Sequence, residues 1–118
     1  MFLKVLRAKI HLAIVTETRL DYEGSITIDQ DLMEAAGLIA GEAVLVSNLA
    51  NGSRQVTYVI AGERGSGAVC LNGASARLAA VGDRLIIMAF AYLAPDELAA
   101  HTPRTIVLDA SNAIVRGP

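Results

Sequence analysis

A chain of 118 residues with a net charge of −2 at pH 7 has the size of one domain. Its charge argues against nucleic acid as the main partner, because phosphate binding needs clustered Lys and Arg. Hydrophobic residues make up 53% and charged residues 19%, enough for a core but little charge to cover a surface, so burial against copies in a symmetric homo-oligomer is expected.

Along the chain, short β-branched stretches alternate with turn residues. Strands are predicted at Leu3–Ala8, His11–Thr16 and Gly24–Ile28. A helix follows over Gln30–Ala36: Asp29 can cap it, Leu32, Met33 and Ala36 form its apolar stripe, and Gly37 can end it. Next come strands Ala43–Asn48 and Gln55–Ala61, separated by the Asn51-Gly52 turn. Gly62–Gly67 lacks a P-loop lysine and the dinucleotide glycine spacing, and reads as a hairpin loop. Strand Ala68–Asn72 carries the one cysteine, Cys70, which reads as buried packing. Asn72-Gly73-Ala74-Ser75 resembles a backbone cradle whose N–H groups could hold an anionic group. The Gly82-Asp83 turn, strand Arg84–Ala91, a helix opening at Pro95-Asp96-Glu97 and strand Thr105–Leu108 complete the chain. Many short apolar strands favour a closed barrel, since closure removes edges that they could not safely expose.

No apolar run approaches the roughly 20 residues that cross a bilayer, and no secretory signal pattern is seen. With no disulfide available to Cys70, the cytoplasm is the expected compartment and no membrane partner is expected. The histidines, His11 and His101, lie 90 residues apart with no Cys/His cluster near either, so no metal is expected.

The residues that carry chemistry begin with Glu23-Gly24-Ser25. Glycine leaves its carbonyl open to attack, and a serine hydroxyl is a latent nucleophile. Attack on the Gly24 carbonyl turns the peptide into an ester, and elimination leaves a carbonyl group on residue 25. Thr57 could donate to the carbonyl oxygen as it gains charge. Arg54 offers a fork suited to a substrate carboxylate, and the Tyr58 phenol is a weak acid able to protonate a carbanion. Alternation puts Arg54, Val56, Tyr58 and Ile60 on one strand face and Thr57 on the other. Lys9 and His11 share parity on an early strand and could face one pocket.

Taken together, Lys9-Ile-His11, Asp21-Tyr22-Glu-Gly24-Ser25, Asn51-Gly52-Ser-Arg54, Thr57-Tyr58, Gly62–Gly67, Asn72-Gly73-Ala74 and Gly82-Asp83 resemble the pyruvoyl-dependent aspartate decarboxylases, which make β-alanine for pantothenate. The segments run in order over about the first 90 residues. That resemblance implies a mainly β fold, a double-psi β-barrel with a few short helices, in one domain over residues 1–118. It implies a homotetramer with active sites near subunit interfaces. It further implies scission between Gly24 and Ser25, giving a β chain of residues 1–24 and an α chain of 25–118.

By the same resemblance Ser25 becomes a covalent pyruvoyl group, with neither metal nor pyridoxal phosphate. L-aspartate forms a Schiff base with it, carbon dioxide leaves, and Tyr58 returns a proton. Thr57 assists cleavage and borders the substrate. Lys9 and Arg54 contact substrate carboxylates, and Gly73, Ala74 and Ser75 supply binding contacts. His11, Tyr22 and Asn72 also match site positions, without assigned roles. A maturation helper protein is compatible with the resemblance. Leu12 stands where the family usually has arginine, and Ser75 where it usually has alanine. Two other readings remain open at this point: a pyruvoyl decarboxylase of another amino acid, and a non-catalytic β-barrel that binds a ligand.

Overall fold

The computed structural model describes residues 1–118. Nine strands make up about half of it: β1 (Leu3–Ile14), β2 (Glu17–Arg19), β3 (Ser25–Asp29), β4 (Ala43–Asn48), β5 (Arg54–Gly62), β6 (Val69–Asn72), β7 (Arg84–Leu93), β8 (Arg104–Leu108) and β9 (Ile114–Arg116). The helix α1 (Gln30–Ala36) and 3₁₀ segments at Gly73–Leu78 and Pro95–Ala100 complete it. No helix is long and apolar enough to cross a membrane.

Hydrogen bonding links the strands in the order β2-β6-β3-β5-β4-β7-β1-β8-β9. The ends of that series meet through the chain itself. β1 runs through Val15 and Thr16 into β2, and the Thr16 amide donates to the Val69 carbonyl at 2.8 Å. The β1–β2 stretch therefore borders β7 at one end and β6 at the other, and the ladder closes on itself. Parallel pairs, β3 with β5 and β2 with β6, lie among antiparallel ones. This is the mainly β architecture expected, with the double-psi β-barrel that the resemblance implies.

The core forms because alternate residues of each strand point inward. Ile10, Ile26, Ile28, Leu71, Leu85 and Ile106 are all fully buried. α1 sits on this core through Leu32, Met33 and Ala36. Its ends match the sequence expectation: the Asp31 amide donates to Asp29 Oδ1 at 2.8 Å, and Gly37 takes φ 79°. The Asp29 carboxylate also accepts from the Gly65 and Gly67 amides at 3.1 and 2.8 Å, tying the β5–β6 loop to the helix start.

Several expectations are corrected. The two strands read at Leu3–Ala8 and His11–Thr16 are one, β1, with register shifts at Leu6/Ala8 and His11/Ala13. Bulges add an unpaired residue, which breaks the alternation from which strands are read. Leu12 occupies the second shift with φ 69°. The helix opening at Pro95 is a 3₁₀ segment, and β2 and β9 had no counterpart in the sequence reading.

Near the carboxyl end, Asn112 is 5% exposed and fastens β1 to the β5–β6 loop. Its Oδ1 accepts from the Ile14 amide at 2.8 Å, while its Nδ2 donates to the Ile14 and Gly67 carbonyls at 2.9 Å each. Removing it would leave part-buried backbone groups unpaired. Asn112→Ala is expected to lower unfolding stability by about 2–3 kcal/mol, read as a lower urea midpoint at unchanged slope.

Asp83 gives a pH-dependent counterpart. Hydrogen bonds from the Asn48 side chain and the Ala80 amide hold its carboxyl below the usual 3.8. A depressed folded pKa adds stability above the unfolded value, lost as pH falls through the folded one. Acid titration followed by circular dichroism is expected to show a smaller stability loss below about pH 4 in Asn48→Ala than in the wild type.

Candidate active site

β3 leaves the surface abruptly at its first residue. Gly24 is exposed, whereas Ser25 is 0% exposed, so the Gly24–Ser25 bond lies at the boundary between water and protein. Ser25 pairs with Asn72 of the antiparallel neighbour β6. Asn72 is 1% exposed, and its Nδ2 donates to Ser25 Oγ at 2.9 Å and to Thr27 Oγ1 at 3.0 Å. Ser25 Oγ in turn donates to the Glu23 carbonyl at 3.1 Å. The hydroxyl is thus held by fixed partners.

Behind this bond stands Gly73, with φ 64°. A Cβ there would lie 2.6 Å from the Gly24 nitrogen, 2.7 Å from the Tyr22 carbonyl oxygen and 2.8 Å from the Gly24 Cα. Only glycine fits. The cradle read at Asn72–Ser75 is the entry to a 3₁₀ segment, with Gly73 and Ser75 buried and Ala74 exposed.

On the other side of β3 runs β5, in parallel. Continuing the Ile26↔Val59 register back along both strands sets Tyr58 level with Ser25 and Thr57 level with Gly24. Tyr58 lies on the outward face and is 39% exposed, whereas Thr57 has the opposite parity, as expected. Arg54 opens β5 on the Tyr58 face, exposed, its Nη1 donating to the Gly52 carbonyl at 3.1 Å. A groove of about 260 Å³ opens beside this region, lined by Tyr22, Thr27, Cys70 and Asn72 together with Glu17 and Arg19. The Arg19 guanidinium lies 5.8 Å from the centre of the Tyr22 ring.

Lys9 and His11 lie elsewhere. Lys9 pairs with Met88, Met88 with Leu45, and Leu45 with Val56. Three strand spacings, about 14 Å, therefore separate Lys9 from the strand that carries Arg54 and Tyr58. His11 Nδ1 is buried without a hydrogen-bond partner. Burial, then the positive charges of Lys9 and Arg116, pull its pKa below the usual histidine value, which favours the neutral ring. One chain brings together Gly24, Ser25, Thr57, Tyr58, Asn72 and Gly73, with Tyr22 on the adjoining groove, but not Lys9 or His11.

Comparison with known proteins identifies the family. A family profile described as aspartate decarboxylase matches residues 1–115. The chain belongs to the aspartate decarboxylase family. Aspartate 1-decarboxylase of Caldicellulosiruptor saccharolyticus is 55% identical over 116 residues, 98% of this chain and 91% of its own length. The protein of the same name from Caldicellulosiruptor bescii is 56% identical over the same shares. That from Neisseria meningitidis is 53% identical over 97% of this chain and 90% of its own. Among solved structures, the computationally designed msDPBB_sym2 protein aligns with a TM-score of 0.45 and 21% identity, over 73% of this chain and 98% of its own.

For this aspartate decarboxylase family member, the sequence reading missed Thr27, Glu17 and Arg19 beside the groove. Thr27 had a usable signal, its same-face spacing from Ser25. Gly73→Ala is expected to displace the Tyr22–Gly24 backbone, raising amide hydrogen exchange across Asp21–Ser25 and lowering the melting temperature. Exchange followed by mass spectrometry checks it.

Proposed function

We propose that the protein decarboxylates L-aspartate to β-alanine and carbon dioxide, through a pyruvoyl group derived from Ser25 after the chain cuts itself between Gly24 and Ser25. The observation that carries the reading is the buried, doubly anchored Ser25 hydroxyl next to an exposed glycine bond. The residues fit the group. Asn72 offers a donor to the Ser25 position, the wall behind is glycine, and a groove of about 260 Å³ adjoins Asn72.

In scission, Ser25 Oγ bonds to the Gly24 carbonyl carbon as the C–N bond breaks, and the hydroxyl proton passes to the freed nitrogen. Thr57, level with Gly24 by register, donates to the carbonyl oxygen as it becomes negative. Loss of the residue-25 α-proton then expels Gly24 as a carboxylate, and water replaces the remaining nitrogen as ammonia. The products are chains 1–24 and 25–118. A pyruvoyl group at this position supplies a carbonyl that takes up the substrate amine and receives the electron pair released with carbon dioxide.

The chain's own side chains do the rest. Arg54 binds the substrate's side-chain carboxylate in two-point fashion and so selects which carboxylate departs. Tyr58, on the same outward face and level with Ser25, returns the proton to the α-carbon. Gly73, Ala74 and Ser75 border the substrate with Thr57. The added methylene of glutamate would misplace its carboxylate against Arg54.

Lys9 and His11 enter the site from a second copy, in a homotetramer, because one chain holds them on a distant strand. An apolar groove of about 330 Å³ on the outer sheet face, bordered by Val56 and Tyr92 at 74% and 68% exposure, supports such burial. The free, buried Cys70 fits a reducing cytoplasm.

Intact-mass analysis under denaturing conditions is expected to give fragments divided after Gly24, the larger lacking a serine amine. The purified protein is expected to release β-alanine from L-aspartate. Ser25→Ala is expected to stay whole and inactive, and normal turnover in that variant would end the proposal. Tyr58→Phe is expected to cut itself yet lose most turnover, on the order of 10²-fold or more.

A further inference from the structure

Asn72 stands between groups of different chemical character. On one side its Nδ2 faces the Ser25 and Thr27 hydroxyls; on the other its Oδ1 faces Cys70 Sγ at 3.3 Å. A hydroxyl both donates and accepts, so Ser25 and Thr27 would satisfy either end of the amide. They cannot decide which end they meet.

We propose that the Cys70 thiol is a positioning residue for self-cleavage, donating to Asn72 Oδ1 and so fixing which end of the amide is presented to Ser25. The inference rests on the self-cleavage reading above. Reversing the amide would aim its N–H groups at sulfur, a weak acceptor, and leave a buried donor poorly paired. With Oδ1 toward the thiol, Nδ2 binds one lone pair of Ser25 Oγ, and the hydroxyl proton is directed to the Glu23 carbonyl. Two of the oxygen's directions are then occupied, and the remaining lone pair is left to attack the Gly24 carbonyl. Thr27 receives the amide's other hydrogen, so both N–H bonds are used.

The thiol is suited to remaining a donor. Burial first, and then the Glu17 carboxylate, raise its pKa above 9.0, with Arg19 opposing. It therefore keeps its proton at neutral pH. A thiolate would instead attract Nδ2 and turn the amide around.

The test is a time course of scission in full-length chains made by cell-free synthesis, read by denaturing electrophoresis and intact mass, with melting temperatures alongside. Cys70→Ala is expected to slow scission about 5- to 10-fold, the worth of one modest hydrogen bond. Cys70→Ser keeps a donor and is expected to recover most of the rate. Should the alanine chain not fold, Cys70→Val, which fills the space without donating, replaces it in the comparison with serine. A wild-type rate without the donor would overturn the inference, as would a serine variant no faster than alanine or valine. A wild-type chain that never divides would instead overturn the reading of Ser25 on which this one rests.

Discussion

A single uncharged amide, sealed from water, holds the centre of this molecule together. Asn72 is 1% exposed and contacts Ser25, Thr27 and Cys70. Burying an amide without partners costs on the order of 1–3 kcal/mol, so the three neighbours are conditions of its burial. The neutral character matters as well. A carboxylate in this place would draw the Ser25 proton toward itself, and a cation would need a counterion in the interior. The amide holds the hydroxyl without charge, and Gly73 presses the backbone of the preceding loop against it.

The barrel makes that local arrangement possible. β3 lies between an antiparallel neighbour, β6, and a parallel one, β5. The antiparallel side supplies Asn72 opposite Ser25, and the parallel side advances Thr57 and Tyr58 in step with Gly24 and Ser25. Opposite parities on β5 put Tyr58 on the outer face and Thr57 on the other.

Local signals were the easiest to read from the sequence. α1 has the expected bounds and both expected end residues because capping is decided within a few positions. β4 likewise runs from Ala43 to Asn48, as its alternation suggests. β1 was divided because bulges at Leu6/Ala8 and His11/Ala13 interrupt the pattern that defines a strand. β9 is three exposed residues and gives no pattern at all. The site residues were named through their types and order, but their grouping depends on cross-strand register, which no local window contains. Cys70 fitted its apolar surroundings as packing, although its same-face spacing from Asn72 was already present in the predicted strand.

The position of β1 has a consequence for the two pieces that scission would create. Its residues are hydrogen-bonded along one edge to β7 and along the other to β8. The shorter piece is therefore an interior stave of the wall, ending in the exposed turn before Ser25. A break at that turn frees one pair of ends while the stave stays clasped from both sides. Covalent continuity and structural continuity would then be uncoupled: the nicked product would be a two-chain complex held by the same ladder that shaped the single chain.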